Sequence, residues 1–113
     1  MSTELNFKKV DLKVCEGEVK NGGFFSSNYV LYTVDVKPLK WKAKRKDADF
    51  YVLRKILLKN YPHILIPPLP PKTSKQTSKV IMKRERYFTR FLNAVCRSEE
   101  LKSSQFLVDF LQC

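Results

Sequence analysis

The chain is 113 residues long, with 22 Lys and Arg against 11 Asp and Glu, and 43% of its residues are hydrophobic. That length suits one domain around a single core, and the apolar fraction excludes a disordered basic tail. No stretch approaches the roughly 18 apolar residues of a bilayer span, and the first six residues lack an apolar signal core, which reads as a chain of the cytoplasm. Residues 37–97 hold 17 basic and 3 acidic residues and both ends are slightly acidic, so the charge is concentrated where one anionic partner can meet it.

Val10, Leu12 and Val14 alternate with Lys9, Asp11 and Lys13, the pattern of a half-buried strand. Asn21-Gly22-Gly23 then predicts a reversal, because Asn and Gly tolerate the positive φ of tight turns. Tyr29 to Val36 is β-branched and aromatic, with Val30, Tyr32, Val34 and Val36 on one face. Lys37-Pro38-Leu39 breaks that strand. In the third strand Lys40, Lys42, Lys44 and Lys46 alternate with Trp41, Ala43 and Arg45, which makes one face cationic, as either a solvated edge or an anion-binding surface.

Asp47-Ala48-Asp49 can cap a helix that runs from near Asp49 to Lys59, with Phe50, Leu53, Ile56 and Leu57 at helical spacing. Prolines at 67, 68, 70 and 71 then impose an extended, polyproline-like segment, and residues 73–79 form a polar linker. A second, basic helix follows, its stripe made of Val80, Ile81, Arg84, Phe88, Phe91, Leu92 and Val95, with Lys83, Arg86 and Arg90 around it. Val80-Ile81-Met82 reads as core rather than as a lipid-inserting wedge. Ser98 or Ser103 caps what comes next, where Leu101, Phe106, Leu107, Phe110 and Leu111 form one or two short helices. The fold class is α+β: a three-stranded antiparallel β-meander packed against a helical subdomain with a polyproline loop.

Catalytic chemistry finds little to work with. Cys15, Cys96 and Cys113 are an odd, widely spaced set without a Cys-x-x-Cys, which argues for reduced thiols and against a metal site. His63 has no Ser or Cys near it in sequence, and no glycine-rich phosphate loop is present. Asp47 with Asp49 and Glu99 with Glu100 read as caps and surface charge. The chain is therefore expected to be no enzyme, with no cofactor and no metal.

The order strand, strand, basic strand, Arg45-Lys46-Asp47-Ala48-Asp49-Phe50, helix, Ile66-Pro67-Pro68-Leu69-Pro70-Pro71-Lys72, linker, Lys83-Arg84-Glu85-Arg86 resembles a phox-homology (PX) domain over about residues 7–112, leaving 1–6 as a tail. The resemblance implies a pocket for a phosphoinositide headgroup, most often phosphatidylinositol 3-phosphate, and a peripheral place on endosomal membranes as in sorting nexins. By that match Lys46 stands where the family's arginine grips the 3-phosphate, Lys72 where a lysine meets the 1-phosphate, and Arg84 where an arginine bonds ring hydroxyls. Lys46 loses the bidentate fork of guanidinium, and Asp47 stands where the family has an aromatic floor, so the headgroup site is atypical.

Arg45, Lys46, Lys72 and Arg84 are the expected headgroup residues, with Asp47 turned away as a helix cap. Lys40, Lys42, Lys44, Lys75 and Lys79 are expected to add nonspecific attraction to anionic membranes. The alternative is a PX-fold protein-interaction module that has lost specific lipid binding, with partners on the basic or proline-rich surface. Nucleic acid is disfavoured, since the sequence has neither clustered aromatics for base stacking nor a groove-reading motif. Family members commonly carry further domains, so a larger parent protein is expected.

Overall fold

A computed structural model describes residues 10–24 and 27–112. Strands β1 (Asp11–Lys20), β2 (Tyr29–Lys37) and β3 (Trp41–Lys46) precede helices α1 (Asp47–Asn60), α2 (Ser78–Arg97) and α3 (Gln105–Leu111). The sheet is an antiparallel meander in the order β1-β2-β3. The expected tail 1–6, residues 7–9 of the expected domain and Cys113 lie outside the described residues.

The alternation in β2 places the core. Val30, Tyr32, Val34 and Val36 are fully buried on one face, where they meet the helices. Four rings from four elements interlock there: Phe50 of α1 stacks on Phe88 of α2 at 4.0 Å between centroids, with Tyr32 edge-on to Phe88 at 5.3 Å and Phe110 of α3 edge-on to Phe50 at 5.1 Å. Such pairs contribute about 0.5–1.5 kcal/mol each beyond the burial of their area. The rings therefore fix how the helices sit on the sheet.

An edge strand needs cover for its unpaired amides, and α2 supplies it to β1 with side chains spaced four apart. Asn93 Oδ1 accepts from Leu12 N–H at 2.9 Å while its Nδ2 donates to Leu12 O at 2.8 Å. Thr89 Oγ1 accepts from Val14 N–H, and Glu85 Oε2 accepts from Gly17 N–H, each at 2.9 Å. The pairing of β1 with β2 shifts register between Cys15 and Glu18, where Glu16 takes a φ of 53°. This bulge brings the backbone of Gly17 against Ile81 and Tyr32.

The proline-rich segment is held extended against α1. Arg54 Nε donates to Pro67 O at 2.9 Å and its Nη2 to Ile66 O at 3.2 Å, while Tyr51 Oη donates to Pro70 O at 2.6 Å. Three sequence readings change at their edges. Lys40 lies in the β2–β3 turn with a φ of 53°, outside the cationic strand. Helix α1 begins at Asp47, two residues early, because Asp49 in its first turn accepts the Lys46 N–H at 2.7 Å. The closing helix is one, capped by Ser104 rather than Ser103, while Ser98 Oγ accepts from Leu101 N–H in the turn before it. Ile81 packs against the core as expected, whereas Met82 is exposed.

Candidate functional site

The β3–α1 junction, the end of the proline loop and the first turns of α2 meet at one place. Arg84 lies in the apolar stripe of α2 and its side chain is only 3% exposed, so its charge needs partners that do not depend on water. It finds two: Nη1 donates to Asp47 Oδ2 at 3.0 Å and Nη2 donates to Thr73 O at 2.9 Å. The expectation that Asp47 turns away as a cap is thereby corrected. Asp49 takes the cap bond, and Asp47, at the first helical position, points inward to the guanidinium.

Lys46 and Lys72 each lie at a tyrosine ring. One turn beyond Asp47, the Tyr51 ring has Lys72 Nζ 5.4 Å from its centroid, and Lys46 Nζ lies 4.4 Å from the centroid of Tyr29. Gln76 Nε2 donates to Asn28 O at 2.9 Å, which ties the linker to the residue before Tyr29. Burial raises the phenol of Tyr51, against the opposing pull of Arg84. Burial likewise pushes Tyr32 up to about 12, although Arg84 lowers it. Both phenols are thus neutral at any physiological pH. Tyr32 Oη and Arg84 Nε are buried without a hydrogen-bond partner among the described residues.

Of the four residues expected to grip a headgroup, Arg84 bonds the residues that follow Lys46 and Lys72, Asp47 and Thr73, while Arg45 is held elsewhere. Arg45 Nε donates to Phe110 O at 2.7 Å, Nη2 donates to the carbonyls of Asp109 and Gln112, and the guanidinium lies 5.6 Å from the Phe110 ring centroid. It secures the C-terminal end of α3. The cause is the period of a strand, because adjacent residues at the end of β3 face opposite sides of the sheet.

Among the expected electrostatic residues, Lys42 and Lys44 share the outer face of β3 with Lys46, and Lys44 Nζ donates to Thr33 Oγ1 at 2.7 Å. Lys40 and Lys42, with Lys37 and Asp35, line a cleft of about 450 Å³ at the hairpin. Lys75 and Lys79 are exposed beside the cluster, in the linker and the first turn of α2. Tyr29 and Tyr51 were missed by sequence reasoning. Tyr51 carried a signal, since it stands four residues after Asp47 on the same helical face.

The fold and this junction can be set beside known proteins. The PX domain family model matches residues 36–113. The chain belongs to the PX domain family. Sorting nexin MVP1 of Saccharomyces cerevisiae is 39% identical over 70 residues, covering 59% of this chain and 14% of that protein. Sorting nexin-4 of Cryptococcus neoformans is 31% identical over 122 residues, covering 95% of this chain and 24% of its own length. This PX domain thus spans about a quarter or less of those relatives.

Among solved structures, a designed CISK-PX domain superposes with a TM-score of 0.74 at 30% identity, covering 93% of this chain and 99% of that one. The solution structure of the Vam7p PX domain, at 22% identity and a TM-score of 0.69 over 92% of each chain, shares the fold. PX domains are phosphoinositide-binding, non-catalytic modules of trafficking proteins. Among the described residues, no group of three or more His, Cys, Asp or Glu side chains could hold a metal ion, and no helix is long and apolar enough to cross a membrane.

Proposed function

We propose that this PX domain brings its parent protein to the cytoplasmic face of endosomal membranes, in sorting or trafficking, by binding a phosphoinositide headgroup at the Lys46, Lys72 and Arg84 junction. Phosphatidylinositol 3-phosphate is the preferred lipid. The observation that supports the reading is that Arg84 bonds Asp47 and Thr73, the residues that follow Lys46 and Lys72, so that a strand end, a proline loop and a helix come together there. Lys46 and Lys72 supply phosphate contacts from rings that restrict their motion, and Lys40, Lys42, Lys44, Lys75 and Lys79 add attraction to an anionic leaflet. Arg45, held at α3, contributes no headgroup contact in this reading.

Flotation with phosphatidylcholine vesicles, with and without phosphatidylinositol 3-phosphate, tests it. Charge-assisted contacts are worth about 1.5–3 kcal/mol, so Lys46→Ala or Lys72→Ala each lowers binding by roughly tenfold or more. Arg45→Ala leaves it within about twofold once the fold is verified. Unchanged binding in both lysine variants rejects the site. A second reading, a PX-fold protein-interaction module without specific lipid binding, is favoured by the Asp47 carboxylate standing on Arg84. It takes first place if wild-type protein floats equally with and without the phosphoinositide.

A further inference from the structure

The proposed site contains an anion, and its geometry says what that anion does. Arg84 is buried to 3% side-chain exposure, whereas Asp47, its partner at 3.0 Å, is 22% exposed. A ligand entering this corner therefore meets a carboxylate rather than the guanidinium beneath it. Oδ2 holds the ion pair, and a carboxylate offers about four lone-pair positions in all. Among the described residues no donor is recorded at Oδ1, which is left to accept. The guanidinium behind has both terminal nitrogens committed, one to Asp47 and one to Thr73 O, which holds the carboxylate in one orientation.

Two groups on an inositol ring compete for such a corner, and they differ in sign. A hydroxyl donates a hydrogen bond to an ionised carboxylate, and bonds of this charged kind are the stronger ones. A phosphate brings only acceptors and close to two negative charges at neutral pH, and like charges disfavour each other at close range with little water between them. Its natural partner, Arg84, is already taken. Among the described residues, the cations at the junction without a carboxylate partner are Lys46 and Lys72, each at a tyrosine ring.

We infer that Asp47, held by Arg84, is a specificity-determining residue that reads free ring hydroxyls and excludes phosphate, so that the site takes a headgroup with one ring phosphate on the lysine side and bare hydroxyls at the Asp47 corner. This rests on the headgroup reading above and adds which phosphoinositides are refused. It also gives Asp47 a positive role in place of a lost aromatic floor.

Titration calorimetry with short-chain soluble lipids tests it without interference from membrane charge. The probes are phosphatidylinositol 3-phosphate and the 3,4- and 3,5-bisphosphates. Wild-type protein binds the monophosphate about tenfold or more tighter than either bisphosphate, against the trend expected from net charge alone. Asp47→Glu keeps that ratio, while Asp47→Asn brings the three ligands within about threefold of one another. If Asp47→Asn fails to fold because Arg84 loses its counter-charge, the paired Asp47→Asn and Arg84→Gln variant removes both charges and is expected to lose the ratio in the same way. Binding of the monophosphate with a ratio that neutralising Asp47 does not change overturns the hydroxyl-reading role and leaves the headgroup site standing. Wild-type preference for a bisphosphate overturns it likewise. Failure of every soluble lipid to bind overturns the headgroup site, and this inference with it.

Discussion

Asp47 and Gly17 show how much a single residue decides in this domain. The resemblance to PX domains leads one to expect an aromatic ring at position 47, and putting a ring there removes the ion pair with Arg84. Removing one partner of a buried pair costs about 3–5 kcal/mol, and since Asp47 keeps partial access to water, Asp47→Tyr is expected near the lower end, read as a loss in urea unfolding. A variant as stable as wild type would mean that Thr73 O alone satisfies the guanidinium. Gly17 is fixed by sterics. A Cβ there falls 2.6 Å from Ile81 Cγ2 and 2.9 Å from Tyr32 Cε1, both in packed surroundings, so Gly17→Ala is expected to destabilise by about 1–3 kcal/mol. Unfolding at the same denaturant midpoint would show that the bulge moves freely away from α2.

Elements were legible where a period or a proline dictated them and obscure where a polar side chain had to choose a partner. The alternation of Val30, Tyr32, Val34 and Val36 and the break at Lys37-Pro38-Leu39 gave β2 its face and its end, and four prolines made the loop before α2 unambiguous. The same alternation set Arg45 against Lys46, yet sequence reasoning sent both to one site. A strict reading of strand period already excluded one of them. The destination of Asp47 was hidden, because carboxylates at the first and third helical positions look equally like caps until the fold shows which one an arginine needs. Equally hidden was the polar flank of α2, where Glu85, Thr89 and Asn93 stand four residues apart and close the edge of β1. Asn93→Ala removes both bonds to Leu12 and is expected to cost about 1–3 kcal/mol. Faster hydrogen exchange at the Leu12 amide, with little change at Val34 in the middle of the sheet, checks that assignment; unchanged exchange at Leu12 would contradict it.

At the scale of the whole molecule, a net charge of +11 acts at longer range than the junction does. In the proposed reading the lysines of β3 and the hairpin cleft attract an anionic membrane, an attraction that weakens as salt shortens the Debye length to about 8 Å at physiological ionic strength. Binding to phosphatidylserine vesicles is therefore expected to fall severalfold between low and physiological salt, while the increment added by phosphatidylinositol 3-phosphate persists. Equal loss of both would reduce the domain to a cationic surface. In the proposed reading two layers divide the work: diffuse charge brings the domain to the leaflet, and the α1–α2 junction selects the lipid. The division is tested most directly by following the backbone amides of the isotope-labelled chain during titration with soluble phosphatidylinositol 3-phosphate. Saturable shifts are expected at Lys46, Asp47, Tyr51, Lys72, Thr73 and Arg84. Shifts confined to the hairpin at Lys37, Lys40 and Lys42, or none at all, would contradict it.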